Sequence, residues 1–208
     1  MTRPRSSGRS PHLPVVLVVV LAAAGCAAPL AVPPATVADA ARRVASYSAS
    51  VEVSLRGKDV RARTRALVAF RRPGDLRIEI PGPTGLRLVA VARDDRLWAV
   101  FPADRAIYAG AARAEDLEAL LGVALAPPEV MDLLTGVASP RLRAYRARWG
   151  AALPRQIEAT LPDGARLKVT VAAADAPATL GQAAFTEAPH EGYRTVDADQ
   201  ARALWSRR

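Results

Sequence analysis

Phe70-Arg71-Arg72-Pro73-Gly74-Asp75 leads into Leu76-Arg77-Ile78-Glu79-Ile80, then into the breaker run Pro81-Gly82-Pro83-Thr84-Gly85. Leu86-Arg87-Leu88-Val89-Ala90-Val91-Ala92 follows, and the turn Arg93-Asp94-Asp95 brings the chain to Leu97-Trp98-Ala99-Val100-Phe101. Successive side chains of a strand point to opposite faces, so Leu76, Ile78 and Ile80 against Arg77 and Glu79 define one apolar and one wet face. Gly, Pro and Asp clusters between such runs mark tight reversals, which predicts an antiparallel meander. The expected fold class is mainly β with helices (α+β): a curved antiparallel half-barrel lidded by short helices.

Upstream the pattern continues. Tyr47, Ala49, Val51, Val53 and Leu55 alternate with Ser46, Ser48, Ser50, Glu52 and Ser54. Past a turn at Gly57-Lys58-Asp59, Val60, Ala62, Thr64, Ala66, Val68 and Phe70 face one way and Arg61, Arg63 and Arg65 the other. Three arginines on one strand face read as a solvated outer surface, or more sharply as a contact strip for anionic head groups or an acidic partner. Before these strands, Thr36 and Asp39 make a capping-box pattern for a helix over residues 36–45.

Downstream, a short strand over 106–109 gives way to a different character. Residues 115–121 place Leu117, Leu120 and Leu121 at helical spacing, with acids in the first turn and Gly122 as a stop. Pro127-Pro128-Glu129 opens a second helix, with Val130, Met131, Leu133 and Leu134 apolar and Gly136 closing it. This helical insertion separates two strand-rich halves, and its apolar faces are most simply covered by the apolar face of the sheet. Strands are expected again over 142–149, 155–161 and 165–171, the last two joined by Pro162-Asp163-Gly164, and a helix over 197–205 ends the chain. One domain over 36–208 is expected, as a monomer, since 208 residues show no repeat and no second core.

The front end reads as an address. Arg3, Arg5 and Arg9 precede an apolar run over 13–24, about 12 residues where a bilayer span needs about 20. Leu21-Ala22-Ala23-Ala24-Gly25-Cys26 then resembles the lipobox of bacterial lipoproteins, which predicts a signal peptide over 1–25 and a lipidated Cys26. Residues 26–35, rich in Pro and Ala, read as the anchor and a semi-extended tether of roughly 25–30 Å. Ala27 follows the cysteine where the inner-membrane retention signal would place aspartate, so the expected location is the outer membrane, facing the periplasm. No acid lies before Cys26, so the chain from there on carries +6 of the total +9. That charge favours anionic surfaces.

Chemistry has little to stand on. His190 alone follows the leader, in a loop between Pro189 and Gly192, and no nucleophile-elbow sequence accompanies it. Asp94 and Asp95 sit in a turn, and Glu115, Asp116 and Glu118 begin a helix, where turn chemistry and the helix dipole account for them. Pro81-Gly82-Pro83-Thr84-Gly85 joins two strands and opens no helix, unlike a phosphate-binding loop. No enzyme activity, cofactor, metal site or nucleic-acid partner is expected. Leu117, Leu120, Leu121, Met131 and Leu134 can fill the sheet's apolar face as ordinary core. A cavity for an acyl chain uses the same residue types less densely packed, so composition leaves that choice open.

Several runs carry a resemblance. Residues 70–79 are similar to the segment that opens the sheet in the LolA/LolB superfamily of lipoprotein carriers and receptors, and residues 95–102 to that superfamily's next strand. Leu121-Gly122-Val123-Ala124-Leu125-Ala126-Pro127-Pro128 with Leu133-Leu134-Thr135-Gly136 resembles LolB more closely. So do Leu153-Pro154-Arg155-Gln156-Ile157 and the run 163–169, whereas 185–192 resembles the LolA ending. The resemblance implies an incomplete β-barrel whose apolar cavity, lidded by helices, receives acyl chains of lipoproteins or another lipid, with a soluble LolA-like carrier as the partner that hands them over. It implies a cavity lined by Val51, Val53, Leu55, Val68, Phe70, Leu76, Ile78, Ile80, Leu88, Trp98, Leu117, Leu120, Leu121, Met131 and Leu134. Arg72 falls where an arginine ties the lid to the barrel. At the hairpin tip Thr84 stands where LolB carries an exposed leucine that helps insert cargo into the membrane; Leu86 is the nearest substitute.

Overall fold

The computed structural model describes residues 35–58, 61–176, 178–188 and 190–206. The leader, Cys26, most of the tether, and Asp59 and Val60, where the expected turn ends and the second strand was to begin, lie outside these residues. Ten strands form one open sheet: β1 (Ser46–Arg56), β2 (Arg61–Arg71), β3 (Asp75–Gly82), β4 (Gly85–Arg93), β5 (Arg96–Phe101), β6 (Ala106–Ala111), β7 (Ala144–Trp149), β8 (Pro154–Thr160), β9 (Arg166–Asp175) and β10 (Arg194–Thr195). Their order is β10-β6-β5-β4-β3-β2-β1-β9-β8-β7. Neighbours pair antiparallel except β10, which adds to β6 in parallel. The α+β architecture expected from the alternation is present.

This order explains the lid. The strands β6 and β7 lie toward opposite edges of the sheet, yet follow one another in the chain. The connection between them must therefore cross a face, and it does so as α2 (Ala114–Leu121) and α3 (Pro127–Thr135). Their inward leucines join the inner-face residues of β1–β6, β8 and β9 in one core cluster. Gly122 and Gly136 end these helices at φ of 71° and 89°, conformations that cost a residue with a Cβ. At α3 the Glu129 carboxylate reaches back to accept from the Ala126 N–H at 2.9 Å.

Two other helices complete the domain. The first, α1 (Ala35–Arg42), begins one residue before Thr36, which is therefore inside it and not its cap. Asp39 pairs with Arg42 at 2.9 Å instead, and Ala41 is buried against Ala147 and Trp149. The last, α4 (Ala198–Ser206), lies on α2. Its Arg202 donates to the carbonyls of Glu118 and Ala119, both at 2.7 Å.

Strand β4 departs from simple alternation, because Leu88 through Ala92 are all buried. Their outer side is closed by the C-terminal segment, whose 3-10 turn Gln182–Phe185 lies on β3 and β4. Arg77 fastens it by donating to the carbonyls of Ala184 and Thr186 at 3.2 and 3.3 Å. The Arg71 guanidinium sits 5.4 Å from the Phe185 ring centre.

Candidate binding site: an apolar cavity at one end of the sheet

Cavity and core both come from the register of β1 and β2. Inward residues pair as Tyr47 with Phe70, Ala49 with Val68, Val51 with Ala66, Val53 with Thr64 and Leu55 with Ala62. At one end two aromatic rings stack with centres 5.2 Å apart. At the other, β2 offers only Ala62, Thr64 and Ala66, too small to meet the helices opposite. A cavity of about 100 Å³ remains there.

Its floor is Val51, Val53 and Leu55 of β1, Ala62, Thr64, Ala66 and Val68 of β2, Ile78 and Ile80 of β3, and Leu167 and Val169 of β9. Its roof is Leu117 and Leu121 of α2, Val123 and Leu125 of the linker, and Val130, Leu133 and Leu134 of α3. The one polar wall residue, Thr64, has its hydroxyl committed to the Arg65 carbonyl at 3.1 Å. Half-buried Val53, Ala62, Thr64, Ile78 and Val123 mark where the cavity meets solvent.

Of the residues expected to line a cavity, Val51, Val53, Leu55, Val68, Ile78, Ile80, Leu117, Leu121 and Leu134 do so. Phe70, Leu76, Leu88, Leu120 and Met131 belong to the same core but fill its solid part, each at most 2% exposed. Trp98 requires a correction. Leu97, Ala99 and Phe101 join the inner core, and period-two alternation turns Trp98 to the outer face with Val100. The expectation passed over Ala62, Thr64, Ala66, Leu167 and Val169 of the floor and Val123, Leu125, Val130 and Leu133 of the roof. For the β2 residues a signal was present: inward side chains shrink from Phe70 and Val68 to Ala66, Thr64 and Ala62.

The helical roof is fastened at discrete points. Arg72, just past β2, donates from Nε to the Val44 carbonyl at 3.1 Å. Its Nη2 donates to Asp132 Oδ1 at 2.7 Å and to Thr135 Oγ1 at 3.4 Å, both on α3. The side chain also lies over the Phe70 ring at 5.6 Å. On α2, Asp116 Oδ1 accepts from the Tyr108 hydroxyl at 2.6 Å. Burial first, and this bond second, push the Tyr108 pKa up to about 12. Burial alone does the same for Tyr47.

The hairpin between β3 and β4 turns at the cavity's end of the sheet, with Gly82 paired to Gly85. Thr84 is exposed at its tip, and Leu86 is 37% exposed beside it. The His190 ring hydrogen-bonds within its own loop, with Nδ1 3.1 Å from the Ala188 carbonyl oxygen. No helix among the described residues is long and apolar enough to cross a membrane.

Fold and site together define a class: an open-sheet α+β domain whose inner face holds an apolar cavity closed by a latched helical pair. No family model matches the chain, and neither does any curated protein. Solved structures resemble it at low identity. A LolA superfamily protein from Nitrosomonas europaea is 8% identical, with 76% of this chain and 99% of that chain covered and a TM-score of 0.42. A putative outer membrane lipoprotein-sorting protein domain from Vibrio parahaemolyticus is 7% identical over 72% and 94% of the two chains, with a TM-score of 0.39. An uncharacterized conserved protein from Thermus thermophilus is 11% identical over 77% and 96%, with a TM-score of 0.45.

Proposed function

We propose that this chain is a lipid-anchored, LolB-like receptor of the outer membrane, held through Cys26, that takes up acyl chains of lipoproteins and passes them to the bilayer. The observation that carries the reading is the apolar cavity between the small-residue end of β2 and the roof helices. No covalent chemistry is involved. An acyl chain leaving one apolar cavity for another, or for the bilayer, buries similar area on both sides, so the exchange is close to balanced.

At about 100 Å³ the cavity is below the roughly 300–1,000 Å³ of pockets that enclose a small ligand. The described state therefore corresponds to a closed roof that accepts the end of a chain. Fuller uptake lifts α3 and breaks the Arg72–Asp132 contact. Leu86 supplies the exposed apolar side chain near the hairpin tip that Thr84 does not.

Native mass spectrometry of protein purified from its own envelope tests this. A co-purifying triacylated peptide is the expected result; no bound lipid, either in the wild type or in Arg72→Leu, overturns it. The small cavity favours a second reading, an anchored envelope protein that holds one chain of another lipid as a sensor or assembly factor, and free lipid in the same spectrum supports that one. Cys26→Ala is expected to release the protein to the soluble periplasm, and continued membrane retention would defeat the anchor.

A further inference from the structure

The outer face of the sheet is covered over β3 and β4 and at the Ser46 and Arg71 ends of β1 and β2, but the opposite ends of β2 and β1 and the strands β9, β8 and β7 carry a strongly basic exposed surface. Arg61, Arg56 and Arg166 are direct cross-strand partners on β2, β1 and β9, so three guanidinium groups stand side by side at the strand ends. One row further along the strands come Arg63, Lys168 and Arg146, and then Arg65 and Arg148. All eight are exposed. Three carboxylates share the face: Glu52 pairs with Arg63, Glu158 with Lys168, and Asp175 lies at the far end of β9, across from Ser48. Of the other six cations, Arg65 stands directly across from Glu52 and Arg146 from Glu158, while Arg61, Arg56, Arg166 and Arg148 pair with no carboxylate among the described residues.

Like charges placed directly opposite one another in a sheet are destabilising. A triple row kept without neutralisation points to a ligand that supplies the negative charge. Its shape narrows the class. The cations spread over five strands, about 20 Å across. Leu67, 50% exposed, is the large apolar side chain on this face, where a protein interface would want a buried aromatic or aliphatic centre. A shallow hollow of about 530 Å³ lies among Arg56, Arg146, Arg166 and Lys168. Guanidinium forks match phosphate oxygens in pairs.

We propose that this face docks the domain on an anionic phospholipid surface. The Arg61–Arg56–Arg166 row lies at the same end of the sheet as the cavity and the Leu86 hairpin, so docking there sets the cavity's opening beside the lipid. The position of the membrane relative to the cavity deepens the acyl-transfer reading and rests on it; the binding itself does not.

The test uses the full chain and two kinds of vesicle, phosphatidylcholine alone and phosphatidylcholine with phosphatidylglycerol. The leader contributes equally in every variant, so the ratio of the two affinities is compared between variants. Each arginine neutralised on the face is expected to lower that ratio about fivefold, and Arg56→Gln/Arg166→Gln about 25-fold, with a flatter salt dependence. Arg96→Gln/Arg113→Gln, off this face, should leave it unchanged. The face double variant should also melt no lower than the wild type, because a repulsive row is relieved. An unchanged ratio in the face variant overturns the proposal. So does loss of binding to polyglutamate with vesicle binding kept, which would assign the face to an acidic protein. Uptake of a fluorescent fatty acid, measured on the same samples, separates failure here from failure of the cavity reading: docking can be lost with uptake intact, and the reverse.

Discussion

The two ends of the inner face are built from the same two strands and reach opposite outcomes. At one end Tyr47 and Phe70 stack, with Leu76 packed into the same core, and the space under the roof is full. At the other, Ala62, Thr64 and Ala66 leave the same roof unsupported and a cavity opens. The roof is latched at the solid end, where Arg72 reaches Asp132 and Thr135. The solid end thus holds the roof down through a breakable latch, and the hollow end is the part that can change volume. Side-chain size along one strand, and not a change of fold, separates structural core from candidate site.

The largest expected effect lies at the solid end. Phe70→Ala removes a fully buried ring from a packed stack and should cost about 3–5 kcal/mol, read as a lower denaturation midpoint. A loss under about 1 kcal/mol would mean that this end is as loose as the other. Ala66→Leu probes the hollow end. In a filled core such an insertion costs about 1–3 kcal/mol; here the added methyl groups have space, so stability should hold while uptake of a fluorescent fatty acid falls. A strongly destabilised Ala66→Leu protein with normal uptake would break the contrast.

How much of this could be read from residues alone follows the range of each interaction. The alternation of β1, β2 and β3 needs only neighbours, and those strands and their inward residues were legible. So was the pair of roof helices, from leucine spacing and two terminal glycines. Trp98 was not placed correctly, because the run Leu97-Trp98-Ala99-Val100-Phe101 is apolar on both faces and its phase does not declare itself. On the neighbouring β4 the same loss of polar contrast has a cause far along the chain, since the C-terminal segment around Phe185 covers its outer side. The parallel β10, with only Arg194 and Thr195, is too short for any periodicity. The cavity's place was written in the shrinking inward residues of β2, but its volume depends on where α3 lands, which only tertiary structure sets.

The latch should give a smaller stability effect and a clear functional one. Arg72 is about a quarter exposed and Asp132 about a third, so solvent screens the pair, and Arg72→Leu should cost about 1 kcal/mol. Fatty-acid uptake should become faster, since α3 loses its tie while the roof leucines stay. Slower uptake would show that Arg72 organises the opening and does not restrain it.

The smallest effect comes from Tyr47, whose hydroxyl is buried with no hydrogen-bond partner among the described residues. Leaving a buried polar group unpaired costs free energy, so Tyr47→Phe should be neutral or stabilise the domain by up to about 1 kcal/mol near pH 7. The same burial predicts an alkaline signature. Its folded pKa is pushed up to about 12 from the ordinary 10, so the folded state prefers the neutral phenol. That preference contributes fully below pH 10 and is lost as pH rises from 10 through 12, because only the unfolded chain ionises readily in that window. Tyr145 is half-buried, but its hydroxyl is likewise buried without a partner among the described residues, and it follows the same course. Replacing Tyr47 by Phe should therefore shallow the fall in stability between pH 10 and 12 while leaving the cavity untouched. An unchanged alkaline slope would mean that water reaches the Tyr47 hydroxyl, and the end taken as solid would then be open as well.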